Sequence, residues 1–164
     1  MRLAAVNLLL LTALSPLAAQ AKSTDRDQPM DINAAQATAA VTNDGDAVLT
    51  GNVVITQGTM HVTADRAVIK RKDGEIDEIV LTGAPSTLSQ VNDNGETMDA
   101  RAQQIIYTLS NNMMVLTGSV VVTQPRGNLT GETIKYNLDS GQLDGGGDGK
   151  RVSMQIQPKK KAAK

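Results

Sequence analysis

The sequence contains no cysteine, no tryptophan and no phenylalanine, and it has only one histidine and two tyrosines. The absence of cysteine excludes disulfides and thiolate metal ligands, so burial and backbone pairing must stabilise the fold. The scarcity of aromatic rings disfavours a surface that stacks nucleic-acid bases. A net charge of −1 gives the chain no general attraction to phosphates. We therefore expect no nucleic-acid partner.

The start of the chain has the pattern of a secretory signal peptide. Arg2 precedes an apolar run at 3–14, and Ala19-Gln20-Ala21 has the small-x-small pattern that a signal peptidase cleaves. The apolar run is too short for a membrane span. A retained anchor or a buried N-terminal helix is the alternative. We expect a cleaved signal peptide at 1–21, a flexible segment at 22–28, one domain at 29–158 and a flexible basic tail at 159–164.

Short runs of β-branched residues, separated by turn residues, predict an all-β fold. The sequences Lys72-Asp73-Gly74 and Asn92-Asp93-Asn94-Gly95 are typical of hairpin turns. No interval has an apolar stripe of helical period and length. Residues 34–40, AAQATAA, have the propensity for a helix, but a further strand and turn fits the surrounding spacing better.

One strand is repeated along the chain. LTGNVVITQG at 49–58 returns as LTGSVVVTQP at 116–125, and a looser copy, LTGAPSTLSQ, lies between them at 81–90. A turn and a second strand follow each copy. Repeated strand-turn-strand units of roughly 30 to 35 residues predict a body that grows by stacking one unit on the next.

Alignment of the three copies places aliphatic residues at alternate positions, and alternate residues of a strand share one face. We call these residues the aliphatic face: Val53, Ile55, Ile69, Leu88, Ile105, Tyr107, Leu109, Val120, Val122, Ile134 and Tyr136. Such a face is either an ordinary dry core or the lining of an apolar binding site. The alternation by itself does not distinguish these two interpretations.

The residues of catalysis and metal binding are scarce. His61 is the one histidine, and Asp65, four residues further along a predicted strand, would be about 13 Å away. The glycine-rich run at 145–149 lacks the Lys-Ser/Thr of a phosphate-binding loop and the regular acidic spacing of a calcium loop. It fits better as a turn before the last strand. We expect no enzymatic activity, no metal site and no cofactor.

Several segments, in order, resemble the OstA family of periplasmic lipopolysaccharide transport proteins. They are DQPM, LTGNVVITQGTMHVTADRAVI, DNGE, MVLTG, GETIKY and GKRV, and the resemblance extends over about residues 27–158. It implies a twisted, incompletely closed antiparallel β-jellyroll whose apolar interior holds the acyl chains of lipopolysaccharide. The aliphatic face would line that interior, and Leu88, Tyr107 and Leu109 fall on positions that contact lipid in the family. Relatives often carry phenylalanine at the position of Leu88.

The resemblance also implies partners. The chain would bridge an inner-membrane-anchored component of the same fold and the N-terminal domain of an outer-membrane translocon, with copies of itself stacked head to tail. The N-terminal edge would contain Met30 and Ile32, and the C-terminal edge strand at 152–156 would contain Val152, Met154 and Ile156. Two alternatives remain: an extracellular β-solenoid that acts on polysaccharide, and a structural scaffold with a dry core.

Overall fold

The computed structural model describes residues 23–40, 44–146 and 149–158. The signal peptide predicted at 1–21 and the basic tail predicted at 159–164 lie outside the described residues. Within the described ranges, no helix is long and apolar enough to cross a membrane.

The described residues form β-strands and two short 3-10 helices, which confirms the all-β prediction. The strands are β1 Met30–Asn33, β2 Gln36–Ala39, β3 Ala47–Gln57, β4 Met60–Lys72, β5 Glu75–Val91, β6 Thr97–Thr108, β7 Met113–Gln124, β8 Gly127–Asn137, β9 Leu143–Gly145 and β10 Ser153–Ile156. The 3-10 helices are Ser23–Asp25 and Leu109–Asn111. Residues 36–39 therefore form a strand, as the repeat spacing indicates, and not the helix that their propensity allows.

All ten strands belong to one antiparallel sheet. The sheet follows the order β1-β3-β4-β5-β6-β7-β8-β10, with β2 also paired to β3 and β9 also paired to β8. The three sequence repeats are the hairpins β3–β4, β5–β6 and β7–β8, which stack side by side through backbone hydrogen bonds. Each edge of the sheet is thus made of two short strands, β1 with β2 and β9 with β10.

A line of register shifts crosses the sheet. The pairing slips between 50 and 53, 63 and 66, 82 and 86, 101 and 104, and 117 and 120, so every long strand is irregular near its middle. Extra residues of this kind bend a strand. We call this line the crease, and it is where the repeated LTG glycines lie. Gly51 and Gly118 have φ values of +77° and +86°, and the residue after each, Asn52 and Ser119, also has positive φ.

The crease divides the sheet into two halves that face each other. The tyrosine half contains Tyr107 and Tyr136, and its outer rim is formed by the turns at 73–74, 109–112 and 138–142. The leucine half contains Leu88, and its outer rim is formed by the turns at 58–59, 92–96 and 125–126. One sheet layer cannot cover its own apolar face. Because inward residues of both halves are fully buried, each half must cover the other.

Two segments differ from the sequence-based expectation. Part of the segment predicted to be flexible, Ser23–Asp25, forms a 3-10 helix, and Asp25 is buried. Leu109 does not continue strand β6, because the chain turns there into the 3-10 helix Leu109–Asn111. It still packs, half-buried, against the core.

Candidate functional site

The aliphatic face lies entirely on the inward side of the folded sheet. Ten of its eleven residues are buried, and Leu109 packs against them from the rim. The structure separates them into two opposing walls. The leucine half contributes Val53, Ile55, Leu88, Val120 and Val122, whereas the tyrosine half contributes Ile69, Ile105, Tyr107, Ile134 and Tyr136. What the repeats indicate as one continuous row is therefore a pair of facing surfaces, which we call the interior walls.

Several inward residues escaped the sequence alignment. Ile79, Leu81, Met114 and Leu116 are at most 1% exposed and complete the wall of the tyrosine half. Their signal was the alternation that runs backwards from the LTG glycine, Ile79-x-Leu81 and Met114-x-Leu116. Met60, Val62 and Ala64 of β4 show the same alternation and are buried in the wall of the leucine half. These residues extend the apolar surface across β3 to β8.

One polar contact joins the two interior walls. The phenol of Tyr136, in the tyrosine half, donates a hydrogen bond of 3.0 Å to Oε1 of Gln90, in the leucine half. Both residues are buried, Gln90 at 9% exposure and Tyr136 at 7%. A buried polar group is expensive to leave without a partner, so this bond favours contact between the walls where they meet near the two rims.

Burial dominates the electrostatics of the two tyrosines. It raises the pKa of both Tyr107 and Tyr136 above the ordinary value, and the positive charge of Arg26 opposes the shift. The nearby carboxylates of Asp139 and Asp25 add smaller effects that raise these pKa values, of Tyr107 and Tyr136 respectively. Arg26 therefore lies close to the interior although it belongs to the polar N-terminal segment.

Both sheet edges have a free side in the described chain. Met30 and Ile32 of β1 are half-buried and pair with Gln57 and Ile55 of β3. Met154 and Ile156 of β10 are 67% and 72% exposed. Gln157 donates its backbone N–H to Arg126, so the alternate residues Met154 and Ile156 direct their backbone groups away from β8. Strand β10 thus presents unpaired backbone groups and two apolar side chains at one end of the sheet.

Val152 differs from the prediction that places it in the edge strand. The strand begins at Ser153, and Val152 is half-buried just before it. A Cβ added to Gly145 would be 3.2 Å from Cγ1 of Val152, so this side chain packs over β9. It holds the last strand to the body of the sheet and is not presented to a neighbour.

A cavity of about 360 Å³ opens at the β10 end of the interior. Val122 and Leu129 line it from the leucine half, Leu143 from β9, and Met154 and Ile156 from the edge strand. Because Val122 is also part of an interior wall, the cavity continues the apolar interior to the free edge. The aliphatic surface is therefore accessible at this end of the molecule.

The arrangement offers little for catalysis. His61 is exposed on the outer face of β4, opposite Thr56 and Ser89. Among the described residues, no three His, Cys, Asp or Glu side chains are grouped to hold a metal ion. The polar groups near the interior are those of Gln90 and the two tyrosines, together with the buried hydroxyl of Ser86.

A creased antiparallel sheet, with apolar faces turned inward and both edge strands free on one side, defines the class of incompletely closed β-jellyrolls. A family model described as "LptA/(LptD N-terminal domain) LPS transport protein" matches residues 31–142. The chain belongs to this family.

Individual relatives agree with this assignment. The lipopolysaccharide export system protein LptA of Escherichia coli (strain K12) is 35% identical over 159 residues, which are 93% of this chain and 85% of that protein. The lipopolysaccharide export system protein LptH of Pseudomonas aeruginosa is 32% identical over 165 residues, 93% of each chain. The crystal structure of Pseudomonas aeruginosa LptH, described as the LptA-homologous periplasmic component of a lipopolysaccharide transport device, superposes with a TM-score of 0.73. At 27% identity it covers 82% of this chain and 99% of that one.

Proposed function

We propose that this protein carries lipopolysaccharide through the periplasm of a Gram-negative cell and has no enzymatic activity. The observation that carries the proposal is the pair of interior walls, aliphatic over six strands and continuous with an open cavity at the β10 edge. Family membership supports it, because the relatives are named as lipopolysaccharide export proteins. The solenoid and scaffold alternatives receive no such support.

The physical task is to keep acyl chains out of water. Exposing an acyl chain of about a dozen CH₂ groups costs roughly 10 kcal/mol at about 0.8 kcal/mol per CH₂. The interior walls meet this demand with slim Val, Ile, Leu and Met side chains. The walls are held together mainly by apolar contacts, so a lipid that separates them replaces one apolar neighbour by another. The aliphatic face, with Leu88, Tyr107 and Leu109 in it, is the proposed lipid site.

The free edges supply a way to assemble a bridge. An unpaired strand edge is a template for another strand. The edge formed by β1, with Met30 and Ile32, would receive the inner-membrane-anchored component or the preceding copy. The edge formed by β10, with Met154 and Ile156, would pair with the next copy or with the outer-membrane translocon. Head-to-tail pairing of this kind need not close into a ring, and it would align one interior with the next. Export through the signal peptide at 1–21 would bring the chain to the periplasm.

Site-specific photo-crosslinking tests the lipid site. A photoreactive residue at Leu88, which is 1% exposed on an interior wall, is expected to give a lipopolysaccharide adduct in cells. The matched control is the same residue at His61, which is exposed on the outer face of the neighbouring strand. Adducts at His61 with none at Leu88 would reject the proposed site.

Proline substitution tests the assembly. Ile156→Pro removes an N–H that points away from β8, so it blocks a partner strand without breaking a bond inside the chain. The control Ile156→Ala removes most of the side chain but keeps that N–H. We expect Ile156→Pro to abolish concentration-dependent oligomers in sedimentation experiments and Ile156→Ala to weaken them only in part. Unchanged oligomers in the proline variant would exclude β10 as the assembly edge.

A further inference from the structure

The two outer rims of the folded sheet meet along a seam. Gln90 is the second-last residue of β5 and Tyr136 is the second-last residue of β8, and these strands end at opposite rims. Their hydrogen bond therefore crosses the place where the free ends of the two halves approach each other. No strand pairing joins the rims in the described chain, whereas the ladders of β3 to β8 are continuous. The seam is consequently the long side on which the halves can separate without the loss of strand pairing.

The N-terminal segment 23–28 is anchored to the rim of the leucine half. Thr59, at the β3–β4 turn, donates its hydroxyl hydrogen to the carboxylate of the buried Asp25. The side-chain amide of Gln57 lies 3.2 Å from the carbonyl oxygen of Arg26 and 3.1 Å from that of Gln28. Gly58 has positive φ, and a Cβ there would be 2.8 Å from the Cα of Asp25. The turn at 58–59 thus forms a fitted seat for this segment.

The next residue reaches the opposite rim. The guanidinium of Arg26 forms an ion pair with Asp139, in the turn after β8. Asn112, in the turn after β6, donates its side-chain amide to Asp139 Oδ1 at 3.1 Å and so orients the carboxylate. The Arg26 side chain is only 20% exposed. Two consecutive residues, Asp25 and Arg26, therefore hold the two rims from one short segment.

From this geometry we propose that segment 23–28 is a lid over the seam, and that the Arg26–Asp139 ion pair is its clasp. The inference rests on the proposed lipid-carrying function. Three contacts hold the segment to the leucine half and one ion pair holds it to the tyrosine half, so the clasp opens first and the seat at 58–59 acts as the hinge. Opening lets acyl chains pass sideways between the walls while the polar headgroup stays in water.

The first test removes the clasp and measures lipid affinity. In a protein whose closed lid excludes lipid, the apparent dissociation constant equals the intrinsic one divided by the open fraction. Because an ion pair of this exposure contributes little free energy, we expect Arg26→Ala to lower the apparent Kd for purified lipopolysaccharide by about two- to fivefold. Asp139→Asn, which keeps an oxygen for Asn112, should act in the same direction.

The control is Lys70→Ala, which removes an ion pair of 2.7 Å with Glu78 on the outer face and should leave the Kd unchanged. If the wild type binds lipopolysaccharide but Arg26→Ala and Asp139→Asn bind it equally well or more weakly, the lid is refuted and the carrier function stands. If the wild type fails to bind at all, the proposed function itself is refuted.

The second test fixes the lid shut. Because the chain has no cysteine, the double variant Arg26→Cys/Asp139→Cys can be joined selectively by a short, cleavable, bifunctional thiol reagent. We expect the joined protein to capture lipopolysaccharide about tenfold less than the same protein after cleavage, because its open fraction falls. The single variant Arg26→Cys, treated with the same reagent, controls for modification alone. Equal capture before and after cleavage would overturn the proposal.

Discussion

The crease depends on a glycine that an alanine cannot replace. Gly118, in the second LTG copy, is buried with φ of +86°, and a Cβ there would lie 2.6 Å from Oε1 and 2.8 Å from Cβ of Gln103 on strand β6. Gly74, in the β4–β5 turn, has nearly the same φ, +84°, but no heavy atom lies within 4 Å of its added Cβ. The pair separates two effects, the left-handed backbone and the close approach of a neighbouring strand.

The magnitudes follow from these two environments. Both substitutions to alanine place an L-residue in the left-handed region, at a cost of about 1–2 kcal/mol. Gly118→Ala also forces apart two strands at a contact that involves the Cβ of Gln103, which cannot rotate away, and overpacking of this kind costs about 1–3 kcal/mol more. We therefore expect a loss of about 2–5 kcal/mol in the free energy of unfolding for Gly118→Ala, against about 1–2 kcal/mol for Gly74→Ala.

Equilibrium unfolding in urea, followed by far-ultraviolet circular dichroism, measures both values. The chain has no tryptophan, so the backbone signal is the direct probe. The slope of free energy against urea should stay the same, because the folded and unfolded states bury the same surface. Equal losses in the two variants would show that the crease tolerates a side chain and would refute the role assigned to the LTG glycine.

Three further predictions concern the interior. Ile105→Ala, at a fully buried site of the tyrosine half, is expected to cost about 2–5 kcal/mol in thermal or urea unfolding; a loss below 1 kcal/mol would mean that the walls do not pack there. Gln90→Leu leaves the phenol of Tyr136 without its acceptor and should cost about 1–3 kcal/mol, whereas the double variant with Tyr136→Phe should recover most of that loss; additive losses would contradict the pairing. Burial raises the pKa of Tyr107 and Tyr136, so these phenols stay neutral in the folded protein while those of the unfolded chain ionise above about pH 10, and stability should fall as the pH rises through and beyond that value. Ultraviolet titration reads only these two rings, since the chain has no other tyrosine, and a transition at the ordinary value would show that they are exposed.

The inward positions were predictable from sequence because alternation is a local signal. Val53 with Ile55, and Ile105 with Tyr107, stand two residues apart on a strand, and the repeats fix their register against each other. The same alignment hid the division into two walls. The first strand of each repeat supplied residues after the crease and the second strand supplied residues before or after it, so a change of side at residues 64–67 or 102–105 cannot be recognised from period-two spacing alone.

The N-terminal segment was not predictable from sequence for the opposite reason. Its contacts join residues that are distant along the chain: Thr59 lies 34 residues from Asp25, and Asp139 is further still. Locally, residues 22–28 read as a polar run with no apolar period, which is typical of a flexible segment. Asp25 is buried because a turn with a positive-φ glycine makes room for it, and nothing near Asp25 in the sequence records that turn.

The fold makes an apolar interior compatible with a cargo that arrives and leaves. In a sandwich of two separate sheets, opening the core would expose both faces along their whole length. Here one continuous sheet is folded at the crease, so the halves can move apart at the seam while the ladders of β3 to β8 stay intact. What resists that motion is apolar contact, which the acyl chains restore, together with one buried hydrogen bond and the contacts of segment 23–28. Because the large term largely cancels on lipid binding, the few polar contacts at the seam set the balance between the closed and open states.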